Sequence, residues 1–239
     1  MMKKNYSKKN EKFWNRPYHS PNVESVIFRL KKYLLDKYIK ANKKLCVLDY
    51  GCGEGANIRY FIDSFKYEGY GVDISKSSID YCKKYINKKN FKLIKFSPVN
   101  EDDDFFNRKF DLIISMQVLY FLSNDDLNKR LKSLNKMLKP NGYVFFTMKS
   151  KKNEYWKFSN KKKDLDGLSK VNLGNHSDYK KRQKQSIYDH YINFCSNTKE
   201  MKKKFEIFKP IQTGFYDFNY FSNEFKHHHF TFFGKKKSK

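Results

Sequence analysis

The sequence predicts an α/β protein: a doubly wound, mostly parallel seven-stranded sheet with helices on both faces and an antiparallel last strand pair. Three observations carry this. Between residues 45 and 148, short and almost wholly apolar runs alternate with amphipathic stretches of helical period, the pattern of a parallel sheet covered on both sides. The first of those runs ends in a glycine-rich turn, Gly51-Cys52-Gly53-Glu54-Gly55, that opens into a helix. Near the end of the chain two strand-like runs follow one another with no helical pattern between them, so they are expected as antiparallel neighbours.

The elements follow in order. Residues 1–13 are polar and Lys-rich, with an aromatic, turn-rich stretch after them that includes Trp14 and Tyr18. Ser20 is placed to cap a helix opening at Pro21, and Val23, Val26, Ile27, Leu30 and Leu34 give it an apolar face to about Lys40. LCVLDY (45–50) is the first strand and ANIRYFIDSF the first helix of the core. EGYGVD (68–73) is the second strand, and SSIDYCKKYI supplies a helix with Ile79, Cys82 and Ile86 inward. FKLIKF (91–96) and FDLIIS (110–115) are strands, and a helix from about Asp125 to Leu138 carries Leu127, Leu131 and Leu134. Lys139-Pro140-Asn141-Gly142 breaks that helix before the strand YVFFTM (143–148). Residues 149–190 lack clean periodicity and read as an insertion, and KFEIFKPI (204–211) and HHHFTFFG (227–234) are the final strand pair. The expected organisation is a single domain over 1–239: an N-terminal tail and helix (1–40), a ligand-binding core (45–148), an insertion that caps the acceptor (149–190) and a closing region (191–239).

Composition limits the function classes. With 39% hydrophobic and 18% aromatic residues, the chain can bury a large core. The net charge of +26 invites an anionic partner, but only six of the 51 basic residues are Arg and the rest are Lys. Arg is the side chain whose planar fork suits phosphate and guanine, so the charge fits a solvated, Lys-biased surface or a nucleic acid. Cys46, Cys52, Cys82 and Cys195 have no C-x-x-C spacing and are expected as free, mostly buried thiols. No apolar run follows the basic N-terminus and none approaches ~18 residues, so neither a signal peptide nor a membrane span is expected, and a cytoplasmic setting fits.

The chemistry concentrates at VLDYGCGEGAN (47–57). Its glycines allow a sharp turn and close approach of backbone to a ligand, and the helix after them offers free N–H groups to an anionic end. Gly51, Gly53 and Ala56 also satisfy G-x-G-x-x-A, so a nicotinamide-dependent oxidoreductase stays open on the glycines alone. Asp73, at the end of the second strand, suits ribose hydroxyls in either case.

Beyond the glycines, residues 45–148 resemble the class I (Rossmann-like) S-adenosylmethionine (SAM)-dependent methyltransferases. Asp49 matches the acid two positions before their first glycine, and Asp73 in YGVDIS their ribose-binding acid. FDLIISMQVLYFL with Asp111 matches their fourth-strand motif, and LKPNGYVFF their fifth-strand motif, with Asn141 in place of a glycine. The resemblance implies SAM as cofactor, held by Asp49, Gly51, Cys52, Gly53, Gly55, Asp73, Ile74 and Gln117, with Asp49 near the amino group and Gln117 at the methionine end. The family's acid near the adenine falls in SPVNEDDD (97–104), which does not single out one residue.

Each residue has a plainer alternative. Asp49 either faces the ligand or caps the glycine turn, and Asp111 is expected to brace its strand. Tyr120 and Phe121 either line the pocket or start a core helix. A general base is not identifiable, the candidates being His190, His19 and Tyr120. In His227-His228-His229 only the outer two could share a metal on a strand, and no Cys, Asp or Glu stands beside them at ligand spacing, so no metal site is expected. The expected acceptor is a small molecule or a sugar-containing compound. Ser115-Met116-Gln117-Val118 lacks the Pro-Pro-aromatic signature of amino-methylating DNA enzymes. RNA methylation, or a non-catalytic SAM-binding protein, remains the alternative.

Overall fold

The computed structural model describes residues 23–39, 43–86, 91–93, 105–162, 166–173, 189–217 and 227–237. Stretches of 17 and 18 residues separate the first three apolar strands, each with room for one covering helix, and the chain uses both. β1 (Cys46–Tyr50) leads to α2 (Ala56–Phe65), β2 (Glu68–Val72) to α3 (Lys76–Tyr85), and then come β3 (Phe91–Leu93) and β4 (Phe110–Ser115). A 3-10 turn (Leu119–Phe121) and α4 (Asn124–Met137) join β4 to β5 (Leu138–Lys149). Ahead of them lies α1 (Ser25–Leu30), which continues through a π-helical turn (Lys31–Leu35) into a last α turn (Asp36–Tyr38).

These strands form a seven-stranded sheet in the order β3-β2-β1-β4-β5-β9-β8, with β8 (Phe208–Tyr216) and β9 (His229–Lys236) at one edge. The first five strands are parallel, while β9 runs antiparallel to both β5 and β8. The order reverses between β1 and β4, which is where a doubly wound sheet opens a crevice at its C-terminal edge. Val26, Ile27 and Leu30 of α1 pack with Ile58, Phe61 and Ile62 of α2 on one face. The other face buries Leu127, Leu131 and Leu134 of α4 with Phe146, Phe232 and Met201.

Four details depart from expectation. Ser20 and Pro21 lie outside the described residues, and α1 is instead described from Ser25 with Glu24 before it. The π turn inserts an extra residue per turn, so Leu35 is buried in the core while Leu34 is only partly covered. Residues 149–190 are not wholly irregular, because β6 (Ser169–Asn172) and β7 (Asp189–Ile192) form a separate antiparallel pair. Lys204 ends a helix, α5 (Thr198–Lys204), so the strand expected at 204–211 begins at Phe208. Asn197 caps that helix by accepting from Glu200 N–H, while the Glu200 carboxylate accepts from Ser196 N–H, and Met201 and Phe205 anchor it in the core. Of FKLIKF, Phe91–Leu93 is strand and 94–96 lie outside the described residues. All four cysteines are free and buried.

Candidate active site

The glycine loop is built by backbone bonds before any side chain acts. Gly51 and Cys52 N–H both donate to Val72 O, at 2.8 and 2.9 Å, and Gly55 N–H donates to Cys52 O. Gly51, Gly53 and Gly55 all have positive φ, which L side chains adopt only with strain. A Cβ at Gly51 would collide with Val118 and one at Gly55 with Ile86, whereas one at Gly53 would meet nothing within 4 Å. The loop therefore has two packed glycines and one that faces open space. Gly55 precedes α2, whose first turn carries neither an acidic residue nor a side-chain cap, so its N–H groups are available to an anion.

Two carboxylates converge on this loop. Asp73 accepts from Gly53 N–H at 2.7 Å and from Ser75 N–H at 2.8 Å. Burial pushes its pKa up against those hydrogen bonds. Asp49 is 1% exposed, and neither of its oxygens has a hydrogen-bond partner among the described residues. Burial first, and the Asp73 charge second, push its carboxyl up to about 8. A buried carboxylate left this way is costly, and no described residue supplies it with a donor. Ile74, beside Asp73, is half-buried. Cys52 is turned inward, its thiol near Gly53 O and Cys82, so its side chain shapes the loop.

The far side of the crevice is formed by the loop after β4. Gln117 takes positive φ, a strained choice for a non-glycine residue. Its N–H donates to Thr147 Oγ1 at 2.8 Å and its side-chain amide donates to Glu24 Oε1 at 3.0 Å. Glu24 N–H in turn donates to Asn57 Oδ1 on α2. The start of α1 thus ties the post-β4 loop to the helix after the glycines. Asp111 lies elsewhere and braces the sheet: it accepts from Cys46 N–H at 2.9 Å and pairs with Lys43 and Lys139 at 2.8 and 2.7 Å.

Beyond Thr147 lies a row of side chains that crosses β5, β9 and β8, with Lys149 and His229 buried. Lys149 on β5 stands opposite His229 on β9, and His229 opposite Tyr216 on β8. Lys149 Nζ lies 3.9 Å from the Tyr155 ring centroid and 4.9 Å from that of Tyr120. Tyr120 is buried in the core and its ring also faces His229, at 5.8 Å. His190 sits on β7, opposite Val171. His19 and residues 97–104 lie outside the described residues. The signal for Thr147 and Lys149 was present, since ligands gather at the C-terminal ends of such strands and a lysine closing an apolar strand is out of pattern. Glu24, Asn57 and Tyr216 carried no comparable signal. Among the described residues no group of three or more His, Cys, Asp or Glu side chains could hold a metal. Nor is any helix among them long and apolar enough to cross a membrane.

Residues 20–183 match the family described as methyltransferase domain. That is more than half of the chain, which therefore belongs to this SAM-dependent family. An uncharacterized protein of Rickettsia prowazekii is 37% identical over 105 residues, 42% of this chain and 41% of the relative. Phosphoethanolamine N-methyltransferase of Plasmodium falciparum is 28% identical over 117 residues, 49% of this chain and 43% of the relative. Each match spans under half the length of its relative. Among solved structures, a SAM-dependent methyltransferase from Anabaena variabilis superposes with a TM-score of 0.63 at 14% identity, covering 98% of this chain and 96% of that one. At that identity the likeness is one of fold.

Proposed function

We propose that this chain transfers the methyl group of SAM to a small-molecule or sugar-containing acceptor. The observation that carries the reading is the Asp49 carboxyl, buried and without a partner among the described residues beside a loop that leaves open space at Gly53. The residues fit SAM on three counts. Its ammonium can supply the donor that Asp49 lacks among the described residues, its ribose hydroxyls can donate to Asp73, and its carboxylate suits the N–H groups opening α2. In this reading Gly51, Gly53 and Gly55 form the cradle, Asp73 and Ile74 hold the nucleoside side, Gln117 borders the methionine end, and Cys52 keeps the loop in shape. SAM supplies a methyl carbon on a sulfonium, already a good leaving group. What remains for the chain is to align acceptor and methyl, to exclude water and to take a proton where the acceptor carries one.

Three points support a small acceptor. Lys greatly outnumbers Arg across the chain. The loop after β4 has no Pro-Pro signature. The relative from Plasmodium falciparum is named for a small acceptor, phosphoethanolamine. Lys161 and Lys162 are exposed, and such lysines serve a phosphorylated metabolite as readily as RNA; residues 180–182 lie outside the described residues. The test is to supply methyl-labelled SAM with either a small-metabolite pool or total RNA. The expected result is label in the metabolite fraction. Label confined to defined nucleotides of transfer or ribosomal RNA would overturn the acceptor class.

A further inference from the structure

We propose that Lys149 and His229 form the acceptor side of this active site, and that the acceptor presents a hydroxyl, making the chain an O-methyltransferase. This rests on the methyltransferase reading above and deepens it.

Position comes first. Lys149 and His229 are direct cross-strand partners of β5 and β9, so their side chains share one face of the sheet, about 5 Å apart at Cβ. Thr147 is two residues before Lys149 and therefore on the same face. Its hydroxyl accepts from Gln117 N–H, which puts the pair next to the loop assigned to the methionine end of SAM. On the other side Tyr216 stacks on the His229 ring, at 5.1 Å between centroids and 13° between planes.

The chemistry of the pair is complementary. His229 Nδ1 lies 2.9 Å from His227 O. A carbonyl can only accept, so Nδ1 carries the hydrogen and Nε2 presents a bare lone pair. That Nε2 is buried and has no donor among the described residues. Burial and the Lys149 charge hold the ring neutral. Lys149 is 4% exposed, touches the faces of Tyr155 and Tyr120, and has no carboxylate partner among the described residues. Burial draws its pKa down to about 7, so part of the population is ammonium near neutrality. A hydroxyl satisfies both groups at once, donating its hydrogen to Nε2 and accepting from Nζ. An ammonium substrate would instead meet Lys149 as a like charge. In the reaction the acceptor oxygen gives its proton to His229 Nε2 and its electron pair to the methyl carbon. The carbon–sulfur bond breaks as the new bond forms, its pair staying on sulfur to leave the neutral thioether. Lys149 stabilises the negative charge that develops on oxygen.

The test has a spectroscopic arm and a transfer arm, both on the full chain. In protein carrying 15N-labelled histidine, His229 should show a protonated Nδ1 and a bare Nε2 from pH 8 down to pH 6. An Nε2-protonated or doubly protonated ring overturns the pair, and this arm needs no acceptor. In the transfer arm, methyl-labelled SAM is offered to phenols, sugars and hydroxy acids alongside amines and thiols. Label should reach oxygen. His229→Asn, whose amide can still donate to His227 O, should lower the rate by about 100-fold or more with SAM affinity within twofold of wild type. Lys149→Met should lower kcat/KM at least tenfold. Label reaching only nitrogen or sulfur, or a His229→Asn rate above half of wild type, overturns the proposal. Failure of the wild-type chain to bind SAM overturns the methyltransferase reading instead.

Discussion

The N–H of Gly53 donates to the Asp73 carboxylate at 2.7 Å, so the one glycine of the loop that faces open space is held by the acid assigned to the ribose. Asp73 therefore fixes the loop, and in the proposed reading it also accepts from the ligand's ribose. Asp73→Ala should weaken SAM binding by ~1–3 kcal/mol, roughly 5- to 150-fold, through unpaired hydroxyls and a loosened loop. Asp73→Asn should lose less, because one oxygen still accepts. Calorimetry with circular dichroism checks this, and unchanged affinity in a folded Ala variant would remove Asp73 from the site.

Asp49 should trade stability for binding. Its folded pKa of about 8 lies above the unfolded value of ~3.9. The folded chain thus keeps a proton that the unfolded chain has lost between those values, and stability falls across that window as pH rises. Asp49→Asn removes this penalty. Ligand-free Asp49→Asn should melt higher than wild type at pH 8, on the order of 1–3 kcal/mol more stable, and match it near pH 4, while binding SAM poorly. In the wild type, SAM binding near pH 7 should release a proton as Asp49 ionises against the ammonium. Calorimetry in buffers of different ionisation enthalpy reads that proton, and its absence would separate Asp49 from the ligand.

Gly53 and Gly51 should fail differently. Gly53→Val places a branched side chain in open space, at the cost of a strained positive φ, and should abolish SAM binding with the fold retained. Gly51→Ala collides with Val118 and should lower the melting temperature as well. Retained SAM binding by Gly53→Val would show that the loop does not touch the ligand.

How much was legible depends on where the information sat. β1, β2, β4 and α4 were readable because each is one uninterrupted apolar or periodic run, and Gly51–Gly55 because positive φ demands glycine. Asp111 was legible as a brace because it lies at the start of its strand, second after Phe110 and away from the C-terminal edge. The start of β8 was misplaced because Asn197 and Glu200 form a cap that the apolar run after Lys204 obscured. The pairing of β6 with β7 joins segments separated by 16 residues and each only four residues long, too short to show a period. Lys149 and His229 are 80 positions apart, and only the register of β5 on β9 makes them neighbours.

Asp111 should matter to folding alone. Burial pushes its carboxyl up, but hydrogen bonds from Lys139, Lys43 and Cys46 N–H outweigh it and leave the pKa below the usual value. That contribution is present above the unfolded pKa of ~3.9 and is lost as pH falls through the folded value. Asp111→Ala leaves the Cys46 N–H, bonded at 2.9 Å, without its acceptor and should cost ~1–3 kcal/mol. Because Lys43 and Lys139 are half exposed, their share is small. Urea titration reads the loss, and SAM affinity should be unchanged; weakened binding at full stability would mean that Asp111 reaches the ligand.

The most direct test of the central claim is calorimetric titration of the purified chain with SAM, its demethylated product and NADH. The account predicts micromolar-range binding of SAM and of the product, both lost in Gly53→Val, and negligible binding of NADH. Tight NADH binding with none for SAM would contradict it.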